Sequence, residues 1–218
     1  MASRDELKEQ KEKTSKILIQ AALELISADG YASLTLRSVA RKAGIAPTSF
    51  YRHFRDIDEL GLSIAEQAKM FLIECMEQIQ KKMKSPVINK NDSVSQKMKS
   101  IEQLARPFVE IFLDFFETHS HLFRLFFQEQ SGSSSILQTA ISKELKNLTN
   151  SLAEDIGKIA RKANINLSEP QMIAEVMMTM VSVNGMKMLI NPELKQTEIA
   201  EQLIRTIQIF VLGCLTTD

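Results

Sequence analysis

A chain of 218 residues, 44% of them hydrophobic, is long enough to bury one substantial core with a small appended domain. Its 27 basic and 27 acidic residues cancel, which excludes indiscriminate coating of nucleic acid and leaves any such recognition to a local patch. With 7 glycines, 5 prolines, 2 tyrosines, no tryptophan and apolar residues at helical spacing almost throughout, a turn-rich β architecture is excluded and the fold is predicted all-α.

The first residues lack an apolar leader, no apolar run is read as reaching the ~20 residues that cross a bilayer, and Cys75 and Cys214 stand apart. Two unclustered cysteines suit a reducing cytoplasm and suggest neither a disulfide framework nor a metal site.

In chain order, residues 5–29 are predicted to form a first helix with Ile17, Leu18, Ala21, Ala22 and Leu25 as its apolar stripe. Lys8, Lys11, Lys13 and Lys16 alternate there with Glu6, Glu9 and Glu12, a pattern of mutual pairing along one helix. Gly30-Tyr31 ends it. Thr35 is suited to cap a second helix through Leu36, Val39, Ala40 and Ala43. Gly44 supplies the left-handed turn, Ile45 tucks into the corner, and Pro47 opens a third helix where its missing N–H costs nothing. Two short helices so joined are a helix-turn-helix, whose second helix enters a DNA major groove.

Phe50 and Phe54, four apart, form the buried side of that second helix with Ile45. The opposite side is centred on Thr48 and Arg52, flanked by Ser49, Tyr51 and His53: donors for phosphate oxygens and for base edges. From Arg37 to Arg55 the chain carries Arg37, Arg41, Lys42, Arg52 and Arg55 and no carboxylate. A charge run is ordinarily a solvated face. Coincident with a helix-turn-helix, it points to DNA. The candidate DNA-contacting set is Thr35, Arg37, Thr48, Ser49, Tyr51, Arg52, His53 and Arg55.

Asp56 with Glu59 three residues on caps a long helix to about Lys84, striped by Ile57, Leu60, Ile64, Ala68, Phe71, Cys75 and Ile79. Residues 85–96 lose periodicity and read as a loop. Helices follow at about 97–118, 121–130, 134–163, 169–190 and 195–216, punctuated at Gly132, 164–168 and Asn191-Pro192. The count is about nine, divided between a helix-turn-helix domain at 1–55 and a ligand-binding and dimerisation domain at 56–218.

Seven of eleven phenylalanines fall at 108, 112, 115, 116, 123, 126 and 127. They are either packed core or the wall of an apolar cavity. Six of eleven methionines, at 172, 177, 178, 180, 186 and 188, lie on one helix, and methionine adapts to varied ligands. The candidate ligand-lining residues are Phe71, Phe108, Phe112, Phe115, Phe116, Phe123, Phe126, Phe127, Met177 and Met180. Helices 169–190 and 195–216 are apolar on more than one side, as a two-fold interface requires, and Ile207 and Phe210 are read as part of it. Two recognition helices in a homodimer, one DNA turn apart, read a palindrome.

Catalytic constellations are absent, so the chain is read as no enzyme. His119 and His121, two apart, point to different sides of a helix, and no phosphate loop or metal-spaced cysteine pair occurs.

The layout resembles the TetR family of one-component bacterial regulators. Gly30-Tyr31, Thr35, Val39-Ala40, Ala43-Gly44-Ile45 and Phe50-Tyr51-Arg52-His53-Phe54 carry the likeness. Residues 45–62 and 123–134 resemble more narrowly the FabR/DesT group of unsaturated-fatty-acid biosynthesis repressors, with Gln128 and Gln130 where that group tends to carry arginine. The resemblance implies a repressor without cofactor, with Tyr51 and His53 on the DNA backbone. It also implies an effector that is a long-chain acyl-CoA or acyl carrier protein thioester, acting by changing the spacing of two recognition helices. Release and promotion of DNA binding are both compatible with it. The alternative is a TetR-type repressor of drug efflux responding to a hydrophobic or cationic drug.

Overall fold

The computed structural model describes residues 3–83, 88, 91–128, 134–163, 165, 167 and 169–215, apart from the side chains of Arg4, Arg124, Phe126, Phe127, Gln128 and Ser135. Among the described residues the secondary structure is nine α-helices and one 3-10 turn, with no strand. They are α1 (Arg4–Asp29), α2 (Leu36–Lys42), α3 (Pro47–Phe50), α4 (Ile57–Lys82), α5 (Val94–Thr118), α6 (Ser120–Gln128), α7 (Ser135–Lys162), α8 (Pro170–Ile190) and α9 (Gln196–Leu215), with the 3-10 turn at Tyr31–Ser33. The chain folds as two compact units, residues 1–70 with 121–143 and residues 71–120 with 144–218.

In the first unit, α1 starts at a capping box in which Ser3 Oγ accepts from the Glu6 N–H at 3.2 Å while the Glu6 carboxylate accepts from the Ser3 N–H at 2.6 Å. Its buried side holds Leu18, Ala21 and Ala22 as expected but is turned from the expected stripe at Ile17 and Leu25. Leu18, Ala22 and Ile26 are enclosed, with Ile19, Ala21 and Leu23, whereas Ile17 is 43% exposed and Leu25 half-buried. From Ile17 to Ile26 the helix is apolar nearly all round, so spacing alone leaves its phase open and packing against α2 selects it. Lys8, Lys11, Lys13 and Lys16 lie on the solvent side, and among the described residues no ion pair joins them to the glutamates of α1. The expected pairing is replaced by solvated charge, since exposed pairs gain little over water. Tyr31 is buried, its hydroxyl donates to the Ile57 carbonyl at 3.2 Å, and the absent side chain of Gly61 makes room for its ring.

In the second unit α5 packs on α8 and α9, and α8 on α9. The α5 start differs from expectation: Ser93 and Gln96 form a capping box, so the helix opens at Val94 instead of 97. The rest of the expected 85–96 loop lies largely outside the described residues. So does Gly132. Arg106 ties α5 to α9 through Glu201 at 2.6 Å while also pairing Glu102 at 2.7 Å and Glu110 at 3.1 Å. These hydrogen-bonded carboxylates, Glu201 first, raise the already high pKa of its guanidinium. Gln208 adds a bond from its side-chain amide to the Met98 carbonyl at 2.9 Å. Burial pushes the Cys75 thiol up to about 12, leaving it inert as a nucleophile.

Helix α8 is long and apolar enough to cross a membrane by length and composition, which corrects the reading that no such run exists. It carries Glu175 and Lys187, and it buries Ile173, Ala174, Met177, Met178, Val181 and Gly185 within this unit. Gly185 lets α8 approach the Phe116 ring so closely that a β-carbon there would sit 2.7 Å from it. Gly185→Ala is therefore expected to lower unfolding stability by about 1–3 kcal/mol, read as a lower midpoint in chemical denaturation. An unchanged midpoint would mean that the α5–α8 contact yields freely.

Candidate nucleic-acid interface

Local chemistry builds the helix-turn-helix almost unaided. Thr35 Oγ1 accepts from the Ser38 N–H at 3.1 Å, and the Ser38 hydroxyl in turn accepts from the Thr35 N–H at 3.1 Å, closing the start of α2. At its end Gly44 adopts φ +69°, the Ile45 N–H reaches the Ala40 carbonyl at 3.0 Å and the Gly44 N–H reaches the Arg41 carbonyl at 3.2 Å. Those two bonds form a Schellman motif, which needs the left-handed residue that glycine supplies. Pro47 takes the first turn of α3.

Regular α3 is short, ending at Phe50, yet bonds from the Arg52, His53 and Phe54 N–H groups to the carbonyls of Ser49, Phe50 and Phe50 carry the coil on to Phe54. Phe50 and Phe54 are buried as expected, their centroids 5.8 Å apart, and α2 packs against α3. Ile45 is half-buried. The opposite side then faces water. Thr48, Tyr51 and Arg52 are exposed, Tyr51 with its ring edge-on to Phe50 at 6.2 Å, while Ser49 and His53 are half-buried. Thr35, Arg37 and Arg55 are exposed as well.

Exposure does not make these side chains equivalent. The Thr35 hydroxyl is occupied by its cap. Arg55 Nε pairs with Asp56 at 3.0 Å, which raises its pKa, and Lys42 pairs with Glu24 of α1 at 2.9 Å. Arg37, Arg41 and Arg52 make no ion pair among the described residues, so the open positive charge of the window is theirs. Asp56 Oδ1 accepts from the Glu59 N–H at 2.8 Å, and that bond, with Arg55, holds its carboxyl below the usual range. Glu59 reaches back to the Arg55 N–H, one residue before the one a standard capping box would bond. Sequence reasoning missed a further contact: His53 Nδ1 lies 3.1 Å from Ser15 Oγ on α1. No local pattern announces it, because the two residues are 38 apart in the chain.

The phenylalanines of α5 pack against one another. Phe108, Phe112 and Phe116 are fully enclosed, with centroids 5.8 and 5.5 Å apart. Phe115 and Phe123 are buried, Met180 is half-buried, and Phe71 stacks on His119 at 4.1 Å. Phe126 and Phe127 lie outside the described side chains. His119 ends α5 as its C-terminal cap.

An apolar pocket of about 60 Å³ opens elsewhere in the second unit, walled by Met83, Ile101, Ala105, Ala160, Met177 and Val211 among other aliphatic residues. Of the candidate ligand-lining residues whose side chains are described, Met177 alone borders it. Ligand sites commonly enclose ~300–1,000 Å³, so an occupant must spread these walls. A separate groove of about 770 Å³ carries charged side chains, with Lys99, Glu102, Arg106, Asp114 and Glu201 on its sides.

Residues 18–64 match the family model for bacterial regulatory proteins of the tetR family. Solved structures share the fold over nearly the whole chain. The fatty acid degradation regulator FadR from Bacillus halodurans is 15% identical, covering 89% of this chain and 94% of that one at a TM-score of 0.66. A proposed fatty acid metabolism regulator from Clostridium perfringens is 13% identical, covering 88% and 97% at 0.66. A TetR-like transcriptional regulator from Rhodococcus is 15% identical, covering 98% and 99% at 0.63. The helix-turn-helix that matches this family model is thus set in a fold that the chain shares with these proteins.

Proposed function

We propose that the protein is a homodimeric repressor that reads a palindromic operator through residues 47–55 and is modulated by a hydrophobic ligand, a long-chain acyl thioester. Residues 1–55 read DNA, and residues 56–218 bind ligand and dimerise. The observation that carries the DNA reading is Arg52: exposed and without an ion pair among the described residues, it projects from a turn anchored by Phe50 and Phe54. Arg52→Ala is expected to weaken operator binding by about 1–3 kcal/mol and to relax preference at one position per half-site. Equal loss on specific and random DNA, measured by titration, would reassign Arg52 to a phosphate. Tyr51→Phe and His53→Ala are expected to weaken binding without changing the selected consensus, because backbone contacts position without specifying.

Two observations support a dimer through α8 and α9. On α8, Met172, Val176, Thr179, Val183, Met186 and Ile190 repeat at coiled-coil spacing, and all are exposed or half-buried. On α9, Ile209 is 57% exposed and the Cβ position of Gly213 is open. Ile207, expected at the interface, is instead buried inside the subunit and helps wall the apolar pocket.

The acyl reading draws on the pocket's aliphatic walls and on two relatives of this fold whose names refer to fatty acid regulation. The FabR/DesT likeness narrows it to unsaturated-fatty-acid control. A cationic drug would want a carboxylate inside an apolar site. Glu110, Asp114 and Glu117 lie on the exposed side of α5, and the Glu102, Glu110 and Glu201 carboxylates are taken by Arg106. Native mass spectrometry of the purified protein tests the ligand class: a retained acyl-CoA or fatty-acid mass supports it, and a retained cationic drug-like mass rejects it.

A further inference from the structure

Helix α1 meets the recognition turn where Ser15 Oγ lies 3.1 Å from His53 Nδ1, and then it runs on past that turn. N-terminal to the contact, every residue from Asp5 to Lys13 is exposed, about two and a half turns of helix that bury no face. Such turns gain little from packing, yet the Ser3–Glu6 capping box closes their start.

Their charges are sorted by side. At roughly 100° per residue, Lys8 and Lys11 fall within about 40° of Ser15, on the line that Leu18, Ala22 and Ile26 continue into the enclosed side. Glu6, Glu9 and Lys13 fall about 120–180° away, with Asp5, Glu12 and Lys16 between. At the three- and four-residue spacings where helix side chains meet, Lys11 has Leu7, Lys8, Thr14 and Ser15, none of them acidic. Lys8 has Asp5 and Glu12 at those spacings but makes no ion pair among the described residues. Glu9 and Glu12 each have a lysine four residues on, Lys13 and Lys16, so the charge of the far side cancels. The positive charge left over stands on the Ser15 side.

We propose that Lys11, with Lys8 one turn beyond it, binds phosphates of the duplex that the recognition turn reads, making the first turns of α1 a second DNA-contacting element. This rests on the reading of residues 47–55 as the DNA-contacting face. Along the helix, Lys11 stands about 6 Å and Lys8 about 10 Å from the level of Ser15. B-DNA carries one phosphate charge per ~1.7 Å of its axis, so a duplex seated on Thr48, Tyr51 and Arg52 brings a row of phosphates past the flank where His53 meets α1. An unpaired ammonium group displaces condensed counterions from those phosphates, a gain set by the backbone and not by the bases. A carboxylate on the same side would repel the row, and α1 turns Glu6 and Glu9 away from it.

The test measures affinity against salt by fluorescence anisotropy, on a duplex recovered from a random-sequence library by selection on the whole protein and on a random duplex. The proteins are wild type, Lys11→Ala, the double variant Lys8→Ala with Lys11→Ala, Lys13→Ala and Arg52→Ala, each checked for folding by circular dichroism. Lys13→Ala removes the same charge as Lys11→Ala, but from the far side of α1. Lys11→Ala is expected to bind both duplexes more weakly by the same factor. Its slope of log affinity against log salt should be shallower by about 1.8 for a dimer, one phosphate being lost at each copy. Its deficit against wild type then shrinks about tenfold when salt rises fourfold. The double variant should be shallower still, and Lys13→Ala should follow wild type. Slopes of Lys11→Ala and the double variant parallel to wild type would overturn the proposal. So would a Lys13→Ala slope lowered as far as that of Lys11→Ala, which would reveal a diffuse field in place of a contact. Both results leave the recognition turn standing, whose own reading fails separately if Arg52→Ala binds both duplexes as tightly as wild type.

Discussion

Ile209→Asp is expected to abolish both self-association and operator binding while leaving the subunit folded. Ile209 is 57% exposed on α9, so a carboxylate there remains hydrated in an isolated subunit and costs it little. In a two-fold interface the same group, and its symmetry mate, would be buried without a partner, a penalty of several kcal/mol at each copy. A lone recognition turn then engages one half-site, and operator affinity collapses with the dimer. Val183→Asp on α8, where Val183 is 49% exposed, gives a second variant for the same surface. Sedimentation separates the outcomes. A folded monomer supports the α8–α9 interface, and an intact dimer for both variants rejects it. Ile207→Asp would not serve, because Ile207 is buried in the subunit core and its substitution would unfold the protein whatever its oligomeric state.

A second large effect is expected from acyl chain length. Each methylene moved from water into an apolar site contributes about 0.8 kcal/mol, so affinity for saturated acyl-CoAs should climb steeply from octanoyl until the site is full. The pocket as it stands, about 60 Å³, holds no such chain. Part of the gain must therefore be spent separating its walls, where Met83 and Met177 are the side chains best able to change shape. That makes binding and conformational change one event, which is what a regulator needs. A ligand alters an equilibrium only by binding one conformation better than another. Calorimetry across the series tests the climb, and Ala105→Leu or Ala160→Phe tests the place. Both alanines border the pocket, and larger side chains there should remove ligand binding and the ligand's effect on DNA while DNA binding itself persists. A flat response from octanoyl- to oleoyl-CoA, or tighter binding of a cationic drug, would defeat the acyl reading. Intact acyl binding in both filled variants would move the site away from this pocket.

What the sequence alone determined is local. Thr35 with Ser38, Gly44 with Ile45, Pro47, and Asp56 with Glu59 act on backbone groups within five residues of themselves, so the helix-turn-helix and its exposed Thr48–Arg52 face were legible without any knowledge of packing. The helix count was legible for the same reason, since apolar spacing is written along each segment. The tertiary structure decided whatever depends on which surfaces meet. In α1, apolar residues surround the helix between Ile17 and Ile26, and only packing distinguishes enclosed Ile26 from exposed Ile17. In α5, phenylalanines four apart suit a cavity wall and a packed core equally. The choice fell to ring-on-ring contact and to Gly185, a residue 69 positions away from Phe116, which admits that ring against α8. Charge shows the same division: composition counts Lys42 and Arg55 with the positive patch, but Glu24 and Asp56 neutralise them. The Ser15 contact that turns His53 from a flanking donor into an oriented ring joins residues 38 apart, and it exists only because α1 and the recognition turn fold against each other.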